Sequence, residues 1–306
     1  MPDPRQMRRP KPDRKRILGL AAMVALGLVT AAAGAPSDVY YERALMSAAD
    51  GRCRLFTPDI AAALTAGEAQ ARGAALRAGT PSAALGGVAA RAAAKAGGLP
   101  CSSPDLKTAA ARVRTGFAGY SRLSRMTFPG DVAAWRADRT LPRSAPAWRL
   151  AQTAPLAAGQ MTFGLVGTWS RPSELVAVAD FGQGQTPYAA RLLVRDPALA
   201  PAPYLNVLQA GAAARLPLDA RTPPRAASAV FAADAMAPAD LSLQASGSAM
   251  AFRFPAAAIG AIAALDPREA VTVEFLFQGR SGDMARRAFI EVGDFAAGRA
   301  FLAVAR

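Results

Sequence analysis

"LPRSAPAWRL", residues 141–150, is where the chain changes its grammar. Its two prolines and serine interrupt any helix, and Trp148 begins a region of different periodicity. Upstream, apolar residues recur at helical spacing between Ser/Thr-Pro starts and glycine stops. Downstream, short apolar or alternating runs lie between Gly- and Pro-rich breaks. The switch predicts an α+β chain: an N-terminal Ala-rich bundle of about four helices, then a predominantly antiparallel β-sandwich or barrel-like domain with two short helices. The expected division is 36–125 helical, 126–147 a basic linker and 148–306 β-rich.

Working upstream, Ser103-Pro104-Asp105 opens a helix to about Tyr120, and Thr80-Pro81 opens one to about Ala96 before Gly97-Gly98. Thr57-Pro58-Asp59 opens another that ends at Arg77 and Gly79, with proline in the first turn and an acid near the positive end. The first helix runs from Ser37 and Asp38 to about Asp50, where Gly51 ends it. Gly67, Gly73, Gly86 and Gly87 each cost about 1 kcal/mol inside a helix, and close Ala/Gly packing is the expected repayment.

Working downstream, "QMTFGLVGTW", "ELVAVADF", "YAARLLVRD", "YLNVL", "AFRF", "AVTVEFLF" and "RAFIEV" read as strands. "DFGQGQ" (180–185) lacks the lysine and following helix of a phosphate loop and reads as a turn. Helices are expected from Pro255 to about Ala264 and from Asp294 or Phe295 to about Ala303.

Composition narrows the chemistry. Of 306 residues, 52% are hydrophobic but only 7% aromatic, so the core must be built from many small contacts. No histidine is present, which removes Ser-His-Asp and Cys-His nucleophile systems and the usual His-containing zinc sites. No cofactor motif stands out. The net charge of +14 is carried mostly by arginine, and seven basic groups lie in the first sixteen residues. That segment precedes the uncharged run "ILGLAAMVALGLVTAAAGA" (17–35), the order of a secretory signal, with Ala31-Ala32-Ala33 placing cleavage after Ala33. An uncleaved inner-membrane anchor to about residue 35 is the alternative. Both readings export residues 36–306, to the periplasm or beyond it.

"ADGRCRLF" (49–56) holds Cys53, and the other cysteine, Cys101, precedes the fourth helix. In an up-and-down bundle these linkers share one end, so export favours a disulfide. Redox or metal use is the alternative, but there is no C-x-x-C motif and two thiolates make a poor metal site. Closing this loop limits the unfolded chain by about 4 kcal/mol on the chain-entropy view.

The best binding candidate is the basic, aromatic connector: Arg112, Arg114, Arg122, Arg125, Arg136 and Arg139 with Trp135. Arginine forks and aromatic faces suit phosphate, acidic glycan or an anionic bilayer. The competing reading has the aromatics packing a joint and the arginines solvated. Nucleic acid fits the composition, but export argues against it. Membrane contact would come only through an uncleaved N-terminal segment or lipid held by this connector.

Two carboxylate pairs three apart, Asp266/Glu269 and Glu291/Asp294, raise a third option, a histidine-free hydrolase. Solvated charge or turn capping, with Arg268 and Arg299 as neutralising neighbours, is the simpler expectation.

"WRL" at 148–150 and the ending "VTVEFLF…RRAFIEVGDFAAGRAFL" resemble the invasion-associated locus B family of exported bacterial proteins. The resemblance implies a β-rich envelope domain closing in a strand (Ile290 to Val292), a turn (Gly293-Asp294-Phe295) and an Ala-rich helix. This half lacks the cysteines usual in that family, and no catalytic residue carries over. The sequence therefore leads to an exported, non-enzymatic envelope protein that binds an envelope protein or an anionic envelope component. Nonreducing peptide mass spectrometry on protein from its producing cell is expected to find Cys53 linked to Cys101 and a mature N-terminus at Gly34. Free thiols on an intact N-terminus would refute the export argument.

Overall fold

A computed structural model describes residues 35–140, 142–156, 159–169, 171–182, 186–205, 216–243, 248–280 and 282–304. The expected signal or anchor segment, its cleavage at Ala33, most of "YLNVL" and the end of "DFGQGQ" lie outside these residues.

Four helices come first among the described residues: α1 (Pro36–Cys53), α2 (Pro58–Arg77), α3 (Ser82–Gly98) and α4 (Pro104–Tyr120). Thr57 and Ser103 occupy the predicted N-cap positions, but neither side chain makes a capping bond. The starts rest instead on proline in the first turn and on Asp59 and Asp105 beside it. The first helix runs past its predicted end, because the stop is Arg54 rather than Gly51. Arg54 adopts φ 50° and its N–H donates to the Asp50 carbonyl, while the Asp50 carboxylate accepts the Phe56 N–H. A cluster of Tyr40, Ala44, Ala75, Leu76, Leu85 and Val88 joins α1 to α2 and α3, and Met46, Ala49, Ala96, Leu106 and Ala110 pack nearer the cysteines.

The disulfide is present, Cys53–Cys101, with Cα atoms 5.6 Å apart. Arg52 donates to the Ala96 and Leu99 carbonyls at the end of α3, and so caps that helix.

Eleven strands follow among the described residues, all paired antiparallel. They are β1 (Arg125–Phe128), β2 (Trp135–Asp138), β3 (Ala147–Leu156), β4 (Gly159–Thr168), β5 (Arg171–Ala179), β6 (Ala189–Arg195), β7 (Ser228–Ala232), β8 (Ala235–Pro238), β9 (Met250–Phe254), β10 (Ala270–Gly279) and β11 (Gly282–Glu291). One sheet has the order β1-β2-β3-β4-β5-β9-β8 and the other β11-β10-β6-β7, two open sheets rather than a closed barrel. They meet over a shared core that includes Met161, Phe163, Phe252, Val273 and Phe275, with the Phe252 and Phe275 rings 5.1 Å apart. Helices α5 (Ala256–Ala263) and α6 (Phe295–Ala303) fall where the sequence placed them.

The division into helical domain, linker and β domain needs correction. Residues 126–147 are not a linker, since they supply most of β1, all of β2 and the start of β3. The helices and sheets also belong to one compact unit. Helix α2 lies against α6, where Arg77 grips Asp294 through two hydrogen bonds of 2.5 and 2.9 Å. Gly73 makes room for this contact: a Cβ there would sit 2.1 Å from Asp294 Oδ1. Its role is docking of α6 rather than close packing within the bundle, and Gly86 faces open space.

Glu291, at the end of β11, ties the sheets together. Its fully buried carboxylate accepts the N–H groups of Asp131, Val132 and Ala133 at 2.6–2.8 Å, and Arg221 approaches to 3.4 Å. The Gln152 amide bonds both backbone groups of Glu291, and Trp135 Nε1 donates to the carbonyls of Glu291 and Val292. Glu291→Gln is expected to lower stability by about 3–5 kcal/mol, because the fully buried Arg221 loses a charged partner. Glu174→Gln, which breaks the exposed pair with Arg253, should cost less than about 1 kcal/mol in the same denaturant titration.

Candidate functional site

The structure scatters the predicted connector residues. Arg112 is exposed midway along α4, and Arg122 is exposed just beyond its end. Arg114 is turned to the Leu55 carbonyl and the Phe56 ring. Trp135 is fully buried against Phe163 and Phe295 and cannot meet a ligand. Arg139 is buried as well: its guanidinium lies 3.6 Å from the Phe301 ring centroid and 4.9 Å from that of Tyr120, and Nε donates to the Phe301 carbonyl. Both residues hold α6 against the sheet, because β1 and β2 alternate faces and these two side chains point inward.

Arg125 and Arg136, by contrast, lie together on the outer face of the seven-stranded sheet. There they line a groove of about 780 Å³ with Thr127, Trp148, Ala151, Thr153, Gln160 and Thr162. Strand register explains its shape. Thr127 stands opposite Arg136, Arg136 opposite Ala151, Ala151 opposite Gly164 and Thr153 opposite Thr162, so small residues lie in the middle of the face and longer polar ones around them. Gly164 cannot be larger, since a Cβ would fall 1.9 Å from the Leu150 carbonyl oxygen.

At one wall the Trp148 indole is fixed by donation to the Leu243 carbonyl at 3.1 Å. The 3-10 turn Leu241–Leu243 and Val166, Val176, Val178 and Ala251 form an apolar cluster beside it, covering the next part of the face. At the other wall Arg125 pairs with Asp138 at 2.6 Å. Burial acts to raise the Asp138 pKa, but the combined hydrogen bonds from Arg125 and Thr140 outweigh it and hold the carboxyl below its ordinary range. Asp138 thus stays ionised and keeps Arg125 in place. The Arg136 side chain is exposed and has no ion pair or hydrogen bond among the described residues. The groove therefore offers one uncommitted guanidinium within a wall of hydroxyls, an amide and an indole.

The carboxylates behave differently from the solvated charge expected of them. Asp266, Glu269, Glu291 and Asp294 are all buried. Asp266 takes Arg268 as foreseen, Glu269 takes Arg195 through bonds of 2.6 and 3.0 Å, and Asp294 takes Arg77 rather than Arg299. Turn capping is also realised, since Glu269 accepts the N–H groups of Tyr204 and Asp266. None of the four lines the groove. Asp294 alone borders a smaller cleft of about 210 Å³ between α2 and the α5–α6 region, with both its oxygens held by Arg77. Among the described residues no group of three or more His, Cys, Asp or Glu side chains is placed to hold a metal ion.

The sequence reading missed Thr127, Thr153, Gln160 and Thr162. Their signal was alternation, which holds for Ala151 and Thr153 only after the irregularity between Trp148 and Leu150, and for Gln160 and Thr162 on the next strand, but only the correct pairing of β1 through β4 brings those outward positions beside Arg136. Comparison with protein-family models, curated proteins and solved structures returns no match. No described helix is long and apolar enough to cross a membrane, and the disulfide is compatible with an oxidising compartment.

Burial raises the pKa of both Asp131 and Asp294, against the pull of Arg221 and of Arg77 respectively. The folded chain therefore binds protons more readily than the unfolded one at these sites. The stability they contribute is complete below the ordinary aspartate pKa of 3.8 and is lost as pH rises through their raised values. In Asp131→Asn, the fall of stability with rising pH over that window should be shallower than in the wild type, measured by urea unfolding across the acid range.

Proposed function

We propose that the chain is an exported, non-enzymatic envelope protein whose outer-face groove binds an acidic polysaccharide. The uncommitted Arg136 guanidinium in a concavity of threonines, glutamine and a fixed indole carries the reading. Neutral donors and acceptors suit sugar hydroxyls, an aromatic face suits the C–H side of a sugar ring, and a single arginine fork suits a carboxylate or ester on that sugar. Arg125 contributes less charge because Asp138 neutralises it. With a net charge of about one, the groove is poorly matched to nucleic acid, whose affinity comes from neutralising many phosphates. Its predominantly polar lining is equally poor for an acyl chain.

The disulfide and the resemblance to the locus B proteins support the envelope assignment. The enzyme alternative has less support, since each paired carboxylate is engaged by an arginine.

The test is binding of the purified protein to polygalacturonate, with neutral dextran as the reference polymer. Polygalacturonate should bind and weaken with added salt. Arg136→Ala should reduce affinity about tenfold or more, as expected for loss of a charge-assisted hydrogen bond, while Arg122→Ala changes it little. Equal binding by wild type and Arg136→Ala would remove the groove from consideration.

A further inference from the structure

The opposite outer face, on the four-stranded sheet, carries a second concentration of positive charge with different chemistry. Arg191 on β6, Glu274 on β10 and Arg287 on β11 are direct neighbours across three strands. Arg225 joins them from the 3-10 turn Arg225–Ala227. Arg287 Nε donates to Glu274 Oε1 at 2.8 Å, whereas Arg191 Nε and Arg225 Nη1 both stand 3.8 Å from Oε2. Three guanidiniums thus converge on one carboxylate and leave a local charge of about +2.

The carboxylate is deeply placed and the arginines are not. The Glu274 side chain is 3% exposed, against 26% for Arg191 and 58% for each of Arg225 and Arg287. Glu274 Oε2 and Arg191 Nε are buried without a hydrogen-bond partner, so this cluster is poorly optimised as an internal ion network. A buried acid that forms only one hydrogen bond with three bases is weak support for stability. Its evident effect is positional: it draws three long side chains toward one point. The terminal amino groups of Arg191 and Arg287 make no hydrogen bond among the described residues and stay available on the outer side. Planar forks converging from three directions match a tetrahedral oxyanion, whose several oxygens can each accept from a different guanidinium.

We infer that Arg191, Arg225 and Arg287, gathered by Glu274, form a phosphate-binding seat separate from the polysaccharide groove. Because the two sheets pack face to face, the seat and the groove open on opposite sides of the sandwich. A chain with both sites occupied links a phosphate-bearing partner to an acidic glycan. The seat stands on its own residues and does not depend on the groove's being correctly assigned.

The experiment is titration of inorganic phosphate into the full chain, followed by calorimetry and phosphorus NMR. Saturable binding is expected. Arg191→Gln with Arg287→Gln should weaken it at least tenfold, with an unfolding curve confirming that the variant is folded. Glu274→Gln should weaken it severalfold, because a neutral amide no longer draws the three guanidiniums to one point. Arg136→Ala should leave phosphate binding unchanged, and the double arginine variant should leave polygalacturonate binding unchanged, so the two sites fail or stand separately. Vesicles containing phosphatidic acid distinguish the source: retention that the double variant loses assigns the phosphate to a lipid headgroup, whereas binding of free phosphate without such retention assigns it to a soluble ester. No saturable phosphate binding by the wild type, or equal binding by wild type and the folded double variant, would overturn the inference.

Discussion

The carboxylate of Glu291 is the point on which the rest of the architecture depends. It satisfies three successive backbone N–H groups in the 131–133 turn, faces the buried Arg221, and sits where Gln152 and Trp135 bond its own backbone and its neighbour's. An apolar residue of similar size would leave those N–H groups without partners, each at the full cost of desolvation, and would leave Arg221 only Asp131 as a charged partner among the described residues. The same logic recurs at Glu269 with Arg195 and at Asp294 with Arg77. Buried pairs of this kind add less stability than apolar packing would, but breaking one is costly, so they penalise wrong arrangements. In a chain poor in aromatic residues and rich in alanine, whose apolar contacts discriminate weakly between registers, that penalty gives the pairing of distant segments its specificity.

Cation–π contacts extend the theme. Arg139 lies against Tyr120 and Phe301, so the end of α4, the exit of β2 and α6 share one guanidinium. Lysine could not replace it: a compact ammonium has no planar face to lay on two rings while donating to a carbonyl. The arginine-rich composition is therefore put to structural use at several positions.

Much of the architecture was legible in the sequence because it is local. Pro58, Pro104 and the glycines marked helix ends to within a few residues, and the alternation around Phe163, Phe252 and Phe275 marked strands. What escaped were features set by distant partners. The segment 126–147 read as linker because β1 and β2 have four residues each, too short for alternation to show; β2 is a strand through pairing with β3, and β1 through pairing with β2. Trp135 and Arg139 looked like ligand-binding residues because composition gives type but not face. Asp294 had an arginine five positions away, yet its partner comes from 217 residues earlier, a relation no spacing rule contains. The groove lay between these cases: Arg125 and Arg136 were identified by charge, whereas their neutral companions needed the sheet.

The bond between Arg77 and Asp294 has a consequence for the order in which the molecule can form. A chain that emerges N-terminus first presents its helices and both cysteines long before residues 289–302 exist as neighbours. Until that last segment arrives, Trp135, Phe128 and Arg139 have no α6 to cover them, and the 131–133 turn has no carboxylate. The early helices can close their crosslink ahead of time, but the sandwich is sealed from its far end. Truncation of a few dozen C-terminal residues would therefore be felt first in the middle of the chain.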